Sequence, residues 1–225
     1  ESAIHCARNF SEKISNENIE SALEKITLGL RSSNVVSNKI KKIRAYNEVG
    51  RAIVSAVING INSIDKITIL PRSGFIGGYT KIAPDDDVIS SGLISKKLLL
   101  SKIEIALAGR AAEIVVFGIN EVTQYAANNI NYSTEIAKEM ITKYGFSVIG
   151  PVCLDQNNEE IFLGNSLLRN KSQIADKTST IIDNQIIRIS KEALENAILK
   201  IRNNRSILEK IVEVLIDEET IDGNR

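Results

Sequence analysis

Five consecutive residues, Asn47-Glu48-Val49-Gly50-Arg51, carry the spacing of a hydrolytic metal site. The pattern they follow is His-Glu-x-x-His, which on a helix sets two imidazoles one turn apart around a single zinc. The glutamate then acts as general base on the metal-bound water. Here Asn47 and Arg51 hold the two histidine positions and only Glu48 is kept; the sole histidine of the chain, His5, lies far away in sequence. A neutral carboxamide is a poor zinc ligand, because zinc in proteins is held by thiolate, imidazole or carboxylate. A guanidinium offers no lone pair and keeps its charge, so Arg51 would repel a dication. Without an acidified water Glu48 has no base chemistry to perform. The reading favoured for it is an ion pair with Arg51, three residues along the same helix face. The guanidinium would then stand in for the charge of a metal beside a carboxylate otherwise buried alone.

Other chemistry-bearing residues give less. Asp85-Asp86-Asp87 follow Pro84 and read as a solvated loop, since no further oxygen ligands stand at the spacing a hard cation needs. Gly77-Gly78 is not a phosphate loop, and no Gly-x-x-x-x-Gly-Lys-Ser/Thr occurs, so the chain cannot hydrolyse ATP by itself. Its glycines suit close backbone approach beside a strand. Cys6 and Cys153 lack metal-type spacing; a reducing compartment is the simplest reading, and His5 beside Cys6 reads as packing or surface.

The elements that must position Glu48 follow from periodicity. Apolar residues at helical spacing predict a long helix over about 36–61, with the inward stripe Ile40, Ile43, Asn47, Gly50, Val54, Val57 and Ile61. A polar residue and a glycine in the middle of that stripe mark either a site or a tight helix crossing. Two short helices are expected over 1–30, with Ser15 as N-cap and the stripe Ile19, Ala22, Leu23, Ile26 and Leu30. Two strands are expected around Pro71-Arg72-Ser73-Gly74, from Ile64 to Leu70 and from Gly77 to Ile82. Helices follow over about 94–117 and 129–143, then two long ones over 173–217 parting near Asn203-Asn204. Short strands are expected near 150–154 and 161–163. Small residues at Ala106, Ala108, Gly109, Ala111 and Ala112 would let another helix approach closely.

Composition narrows the class. The 225 residues, 43% of them hydrophobic, can bury a sizeable core, and 28 basic against 28 acidic residues leave no electrostatic footprint for nucleic acid or an anionic membrane. No run of about eighteen apolar residues spans a bilayer. The opening Glu1-Ser2-Ala3-Ile4 reads as the interior of something longer.

An ordered set of motifs then points one way. Ala45-Tyr46-Asn47-Glu48 through Ala52 is followed by Ile67-Thr68-Ile69-Leu70-Pro71-Arg72 and Gly77-Gly78-Tyr79-Thr80. Next come Ala108-Gly109-Arg110-Ala111-Ala112-Glu113 and Phe117-Gly118. Glu121-Val122-Thr123 through Thr134, then Ile136-Ala137, Met140 and Tyr144-Gly145-Phe146-Ser147, complete the series. In this order they resemble the FtsH-type ATP-dependent zinc metalloproteases, over the end of the ATPase lid and the peptidase domain. The resemblance implies a mainly α fold with a small β element. It divides the chain into the closing lid helices at 1–32 and a peptidase-like domain at 33–225.

The resemblance also implies where the family's third zinc ligand, an aspartate, would stand. Within Tyr125-Ala126-Ala127-Asn128-Asn129, position 129 is an asparagine. All three ligand positions are thus changed, to Asn47, Arg51 and Asn129, and Tyr125 replaces a family glycine where it would fill part of the cleft. No zinc is expected in this chain, and ATP and magnesium belong to an ATPase module outside it. Gly77, Gly78 and Tyr79 flank the cleft in which family substrates lie as an added strand. The leading expectation is a proteolytically inactive subunit of a six-membered ring, homo- or heteromeric with FtsH-like subunits. It would act on polypeptide clients and reach a membrane only through segments N-terminal to this sequence, in a plastid sooner than in a mitochondrion or a bacterial inner membrane. Two alternatives stay open: a divergent but active ATP-dependent zinc metalloendopeptidase, and a peptide-binding module without hydrolysis.

Overall fold

The computed structural model describes residues 1–8, 13–29, 37–58, 64–71, 77–83, 90–154 and 176–223. The Asp85–Asp87 run and the strand expected at 161–163 lie outside them. Among the described residues the following helices and strands occur in order. They are α1 (Ser2–Arg8), α2 (Asn16–Leu28), α3 (Asn38–Val57), β1 (Ile64–Thr68), β2 (Tyr79–Ile82), α4 (Lys96–Phe117), α5 (Ala127–Thr142), α6 (Asp176–Asn203), α7 (Arg205–Glu218) and β3 (Thr220–Asp222). The fold is mainly α with a small sheet, as expected from the sequence. Among the described residues no helix is long and apolar enough to cross a membrane.

Local signals set several boundaries. Ser15 caps α2, its side chain accepting from the Asn18 amide, and Ser95 caps α4 in the same way through Leu98. Gly118 ends α4 at φ 87°, a conformation in which a Cβ would be strained. Glu219 ends α7 in the left-handed region and turns the chain into β3. The sheet order is β2-β1-β3, antiparallel throughout, with Ile67 opposite Thr80 on one side and opposite Ile221 on the other.

The helix carrying Glu48 runs through the middle of the molecule. From Ala45 to Ser55 it buries Ala45, Asn47, Glu48, Val49, Gly50, Ala52, Ile53, Val54 and Ser55, so its central turns are enclosed on nearly every side. The expected one-sided stripe therefore holds only at its centre: Ile40 and Val57, at the ends, are exposed. One core gathers α3, α4, the C-terminal half of α6, α7 and the sheet; a second gathers α4, α5 and α6 around Ile103, Ala137 and Met140. The close crossing of α3 and α4 depends on small residues. A Cβ on Gly50 would fall 2.6 Å from the Ala112 Cβ and 3.1 Å from the Ala108 carbonyl. Lys200 pairs with the largely buried Glu104 and ties α6 to α4.

The structure departs from the sequence reading at three points. The apolar stripe of α2 is not core: Ala22 is buried, but Ile19, Leu23 and Ile26 are exposed. Periodicity gave that helix an apolar face without saying what would cover it. Residues 150–154 form no strand. Gly150 has φ 103°, Val152 closes a tight turn on the Gly150 carbonyl at 2.8 Å, and the Leu154 amide donates to Thr142 at the end of α5 at 2.7 Å. Strand β3 was not foreseen at all, because its three residues pair with β1 from the far end of the chain.

Candidate functional site

Glu48 sits mid-helix on α3 with 2% of its surface exposed. A carboxylate there must be met by donors or the burial is costly, and three elements supply them. The Thr80 hydroxyl on β2 donates to Oε2 at 2.7 Å, the Arg51 Nη1 donates to the same oxygen at 3.1 Å, and the Tyr125 hydroxyl donates to Oε1 at 3.1 Å. The ion pair expected from the helical spacing is therefore present. Thr80 also lies 3.0 Å from the Glu48 carbonyl, which pins β2 to α3 at this point.

Tyr125 comes from a short turn between α4 and α5. Burial, and then the negative charge of Glu48, push its phenol well above the ordinary value of 10.0, so it stays a protonated donor. Its ring lies against Gly77, where any Cβ would overlap it, and its hydroxyl also reaches the Gly78 carbonyl at 3.3 Å. Gly77 and Gly78 are both buried, and β1 approaches the second so closely that a side chain there would overlap the Thr68 carbonyl. Tyr79 turns the other way and donates to Glu24 of α2 at 3.1 Å.

Asn47 is fully buried and faces away from Glu48's partners. Its Nδ2 donates to Glu113 Oε1 at 2.8 Å, and its Oδ1, without a hydrogen-bond partner among the described residues, packs on the Gly109 Cα, where a side chain would overlap it. The amide orientation follows from charge, since an oxygen turned towards the carboxylate would be repelled. Glu113 is itself fully buried and accepts also from the Thr123 amide at 2.5 Å and the Thr123 hydroxyl at 3.2 Å. Arg110 closes this second network by donating to the Thr123 carbonyl at 2.9 Å.

The residues singled out from the sequence thus separate. Glu48 and Arg51 are joined; Asn47 is committed to Glu113; Asn129, in the first turn of α5 and partly exposed, makes no hydrogen bond with any of them. Among the described residues no cluster of three His, Cys, Asp or Glu side chains stands where it could hold a metal ion. The donor set around Glu48 does not suit zinc. The carboxamide at position 47 spends its nitrogen on a carboxylate and buries its oxygen against backbone, while position 51 brings a positive charge. Tyr125 was expected to fill part of the cleft, as it does, whereas Thr80, Glu113 and Thr123 were not singled out as site residues. A lone glutamate closing the small-residue run Ala108–Ala112 was the one visible signal for Glu113; its partner on α3 is a tertiary fact.

Residues 34–225 match the profile of Peptidase family M41. The chain belongs to that family. Among curated proteins it is 35% identical over 223 residues to the ATP-dependent zinc metalloprotease FtsH of Cyanidium caldarium, covering 99% of this chain and 36% of that one. It is 36% identical over 224 residues to the ATP-dependent zinc metalloprotease FTSH 8, chloroplastic, of Arabidopsis thaliana, covering 100% and 32%. With the ATP-dependent zinc metalloprotease FtsH 3 of Synechocystis it shares 34% identity over 225 residues, 99% and 36% covered. The M41 chain described here spans about a third of the length of these relatives. Its helices α3 and α4 are the parts of the M41 domain that carry Asn47, Glu48, Arg51 and Glu113.

Proposed function

We propose that this chain is the peptidase-like part of an FtsH-type subunit that no longer cleaves peptide bonds. One observation carries the reading: the helix position that would present a first metal ligand is a carboxamide locked onto Glu113, while the would-be base Glu48 is neutralised by Arg51. Such a subunit would serve a hexameric, membrane-bound AAA+ assembly, with like or FtsH-like partners, in unfolding, translocating or quality-controlling polypeptides. On this reading residues 1–32 are the last helices of the ATPase lid and 33–225 the peptidase-like domain. The similarity to a chloroplastic relative supports a plastid setting. Zinc content by atomic absorption, paired with casein cleavage, is the test. Substoichiometric zinc with no cleavage is expected; one zinc per chain, with cleavage abolished by Glu48→Gln, would establish the divergent active protease instead.

A further inference from the structure

Among the described residues strand β2 is one edge of the sheet, and it lies beside the helix that holds Glu48. An unpaired strand edge is a template on which another extended chain can add, through main-chain hydrogen bonds. At the head of this edge the template is already engaged. The Tyr125 ring covers Gly77, its hydroxyl reaches the Gly78 carbonyl at 3.3 Å, and the same hydroxyl is fixed by Glu48 at 3.1 Å. We propose that Tyr125 is a built-in plug, occupying the place an extended polypeptide would take against the head of β2, so that this chain closes its own peptide groove.

Two features make it a plug and not a passing contact. The turn that carries it is held from behind: Glu113 accepts twice from Thr123, Arg110 donates to the Thr123 carbonyl, and the Tyr125 amide donates to the Thr123 hydroxyl at 3.3 Å. The seat is shaped for the ring, since glycine at position 77 is the only residue that leaves it room. The plug rests on this geometry alone and holds whether or not Glu48 retains any chemistry. A polypeptide handled by the intact assembly would then pass over this cleft without lodging in it.

The test uses the full chain and a fluorescein-labelled eight-residue peptide of alternating Val and Thr, with an N-methylated twin unable to pair as a strand. Fluorescence anisotropy should show Tyr125→Gly binding the peptide at least about tenfold more tightly than the wild type. Tyr125→Phe, which keeps the ring over Gly77, should bind like the wild type, and the N-methylated twin should gain nothing. The plug is refuted if the wild type already binds as tightly as Tyr125→Gly, if a folded Tyr125→Gly gains nothing, or if the twin binds as well as its parent. Tyr125→Ala replaces the glycine variant if circular dichroism shows that one unfolded. Amide exchange in the wild type gives a reading that needs no variant: an excess of peptide should add no protection to the amides of residues 77–80 beyond that seen without it, and added protection there overturns the proposal. Neither measurement depends on cleavage, so its failure is distinct from that of the inactive-subunit reading.

Discussion

Replacing Arg51 by leucine removes a cation hydrogen-bonded to Glu48 while keeping most of the apolar stem that packs on the helix. At 3.1 Å and an effective dielectric of 20 the gross attraction between the two charges is about 5 kcal/mol. Desolvation of both groups offsets much of it, yet removing one partner leaves the other buried, and such losses run to about 3–5 kcal/mol. Two terms reduce the figure here. Thr80 and Tyr125 still donate to the carboxylate, and the Arg51 side chain retains 19% exposure, so the pair is partly screened. The expected cost is about 2–3 kcal/mol, which for a chain of this size lowers Tm by roughly 5–10 °C. Differential scanning fluorimetry measures the shift, and Glu48→Gln placed on top of Arg51→Leu supplies the control. A neutral carboxamide no longer needs the cation, so the double variant should recover more than half of the loss. An Arg51→Leu protein melting within about 1 °C of wild type, or a double variant no better than the single, would show that the guanidinium does not compensate the buried charge.

Further expectations rest on neighbouring residues. Tyr125→Phe leaves Glu48 Oε1 and the Gly78 carbonyl without their phenol donor and should cost about 1–3 kcal/mol in urea unfolding at pH 8. The raised phenol in the folded chain means this contribution is complete below pH 10 and is lost as pH climbs above it. The gap between wild type and Tyr125→Phe should thus narrow by about 1.4 kcal/mol from pH 9 to pH 11, and a constant gap would contradict the burial of that hydroxyl. Gly109→Ala forces a methyl into the Asn47 carboxamide and should destabilise by about 1–3 kcal/mol, with Asn47→Ala in the same chain restoring part of it in thermal melts. Glu113→Gln brings a donor against the Asn47 or Thr123 donors and should cost about 1–3 kcal/mol by the same measurement, whereas no loss would mean that Glu113 does not organise the turn.

Much of this architecture was legible because its helices are long and strongly periodic. The span 94–117 became Lys96–Phe117, and the break at Asn203-Asn204 separates α6 from α7. What failed was whatever depends on a partner remote in sequence. Ile19, Leu23 and Ile26 look like core by spacing, yet they are exposed, and Val152-Cys153-Leu154 look like a strand but are shaped by the tight turn on Gly150 and the bond from Leu154 to Thr142. Within the site the local relation was readable and the tertiary ones were not. Glu48 and Arg51 are three residues apart on one helix, so geometry alone brings them together. Asn47 and Glu113 meet only because Gly50, Ala108 and Ala112 let α3 and α4 approach closely enough for a carboxamide to bridge them.

That bridging makes the departures from the zinc motif parts of one structure instead of separate losses. Asn47 gives Glu113 a neutral donor; Glu113 holds Thr123; Thr123 fixes the turn from which Tyr125 reaches Glu48; and Arg51 supplies the charge at the other carboxylate oxygen. The circuit leaves α3 at residue 47 and returns to it at residue 48. Reverting a single member would therefore leave the rest of the circuit in place. A histidine at position 47 would still share the helix face with the Arg51 cation, and Tyr125 would still hold the one carboxylate oxygen that Arg51 and Thr80 leave free. In such a closed circuit each side chain stabilises the next, so the buried glutamate is held by donors of the chain itself.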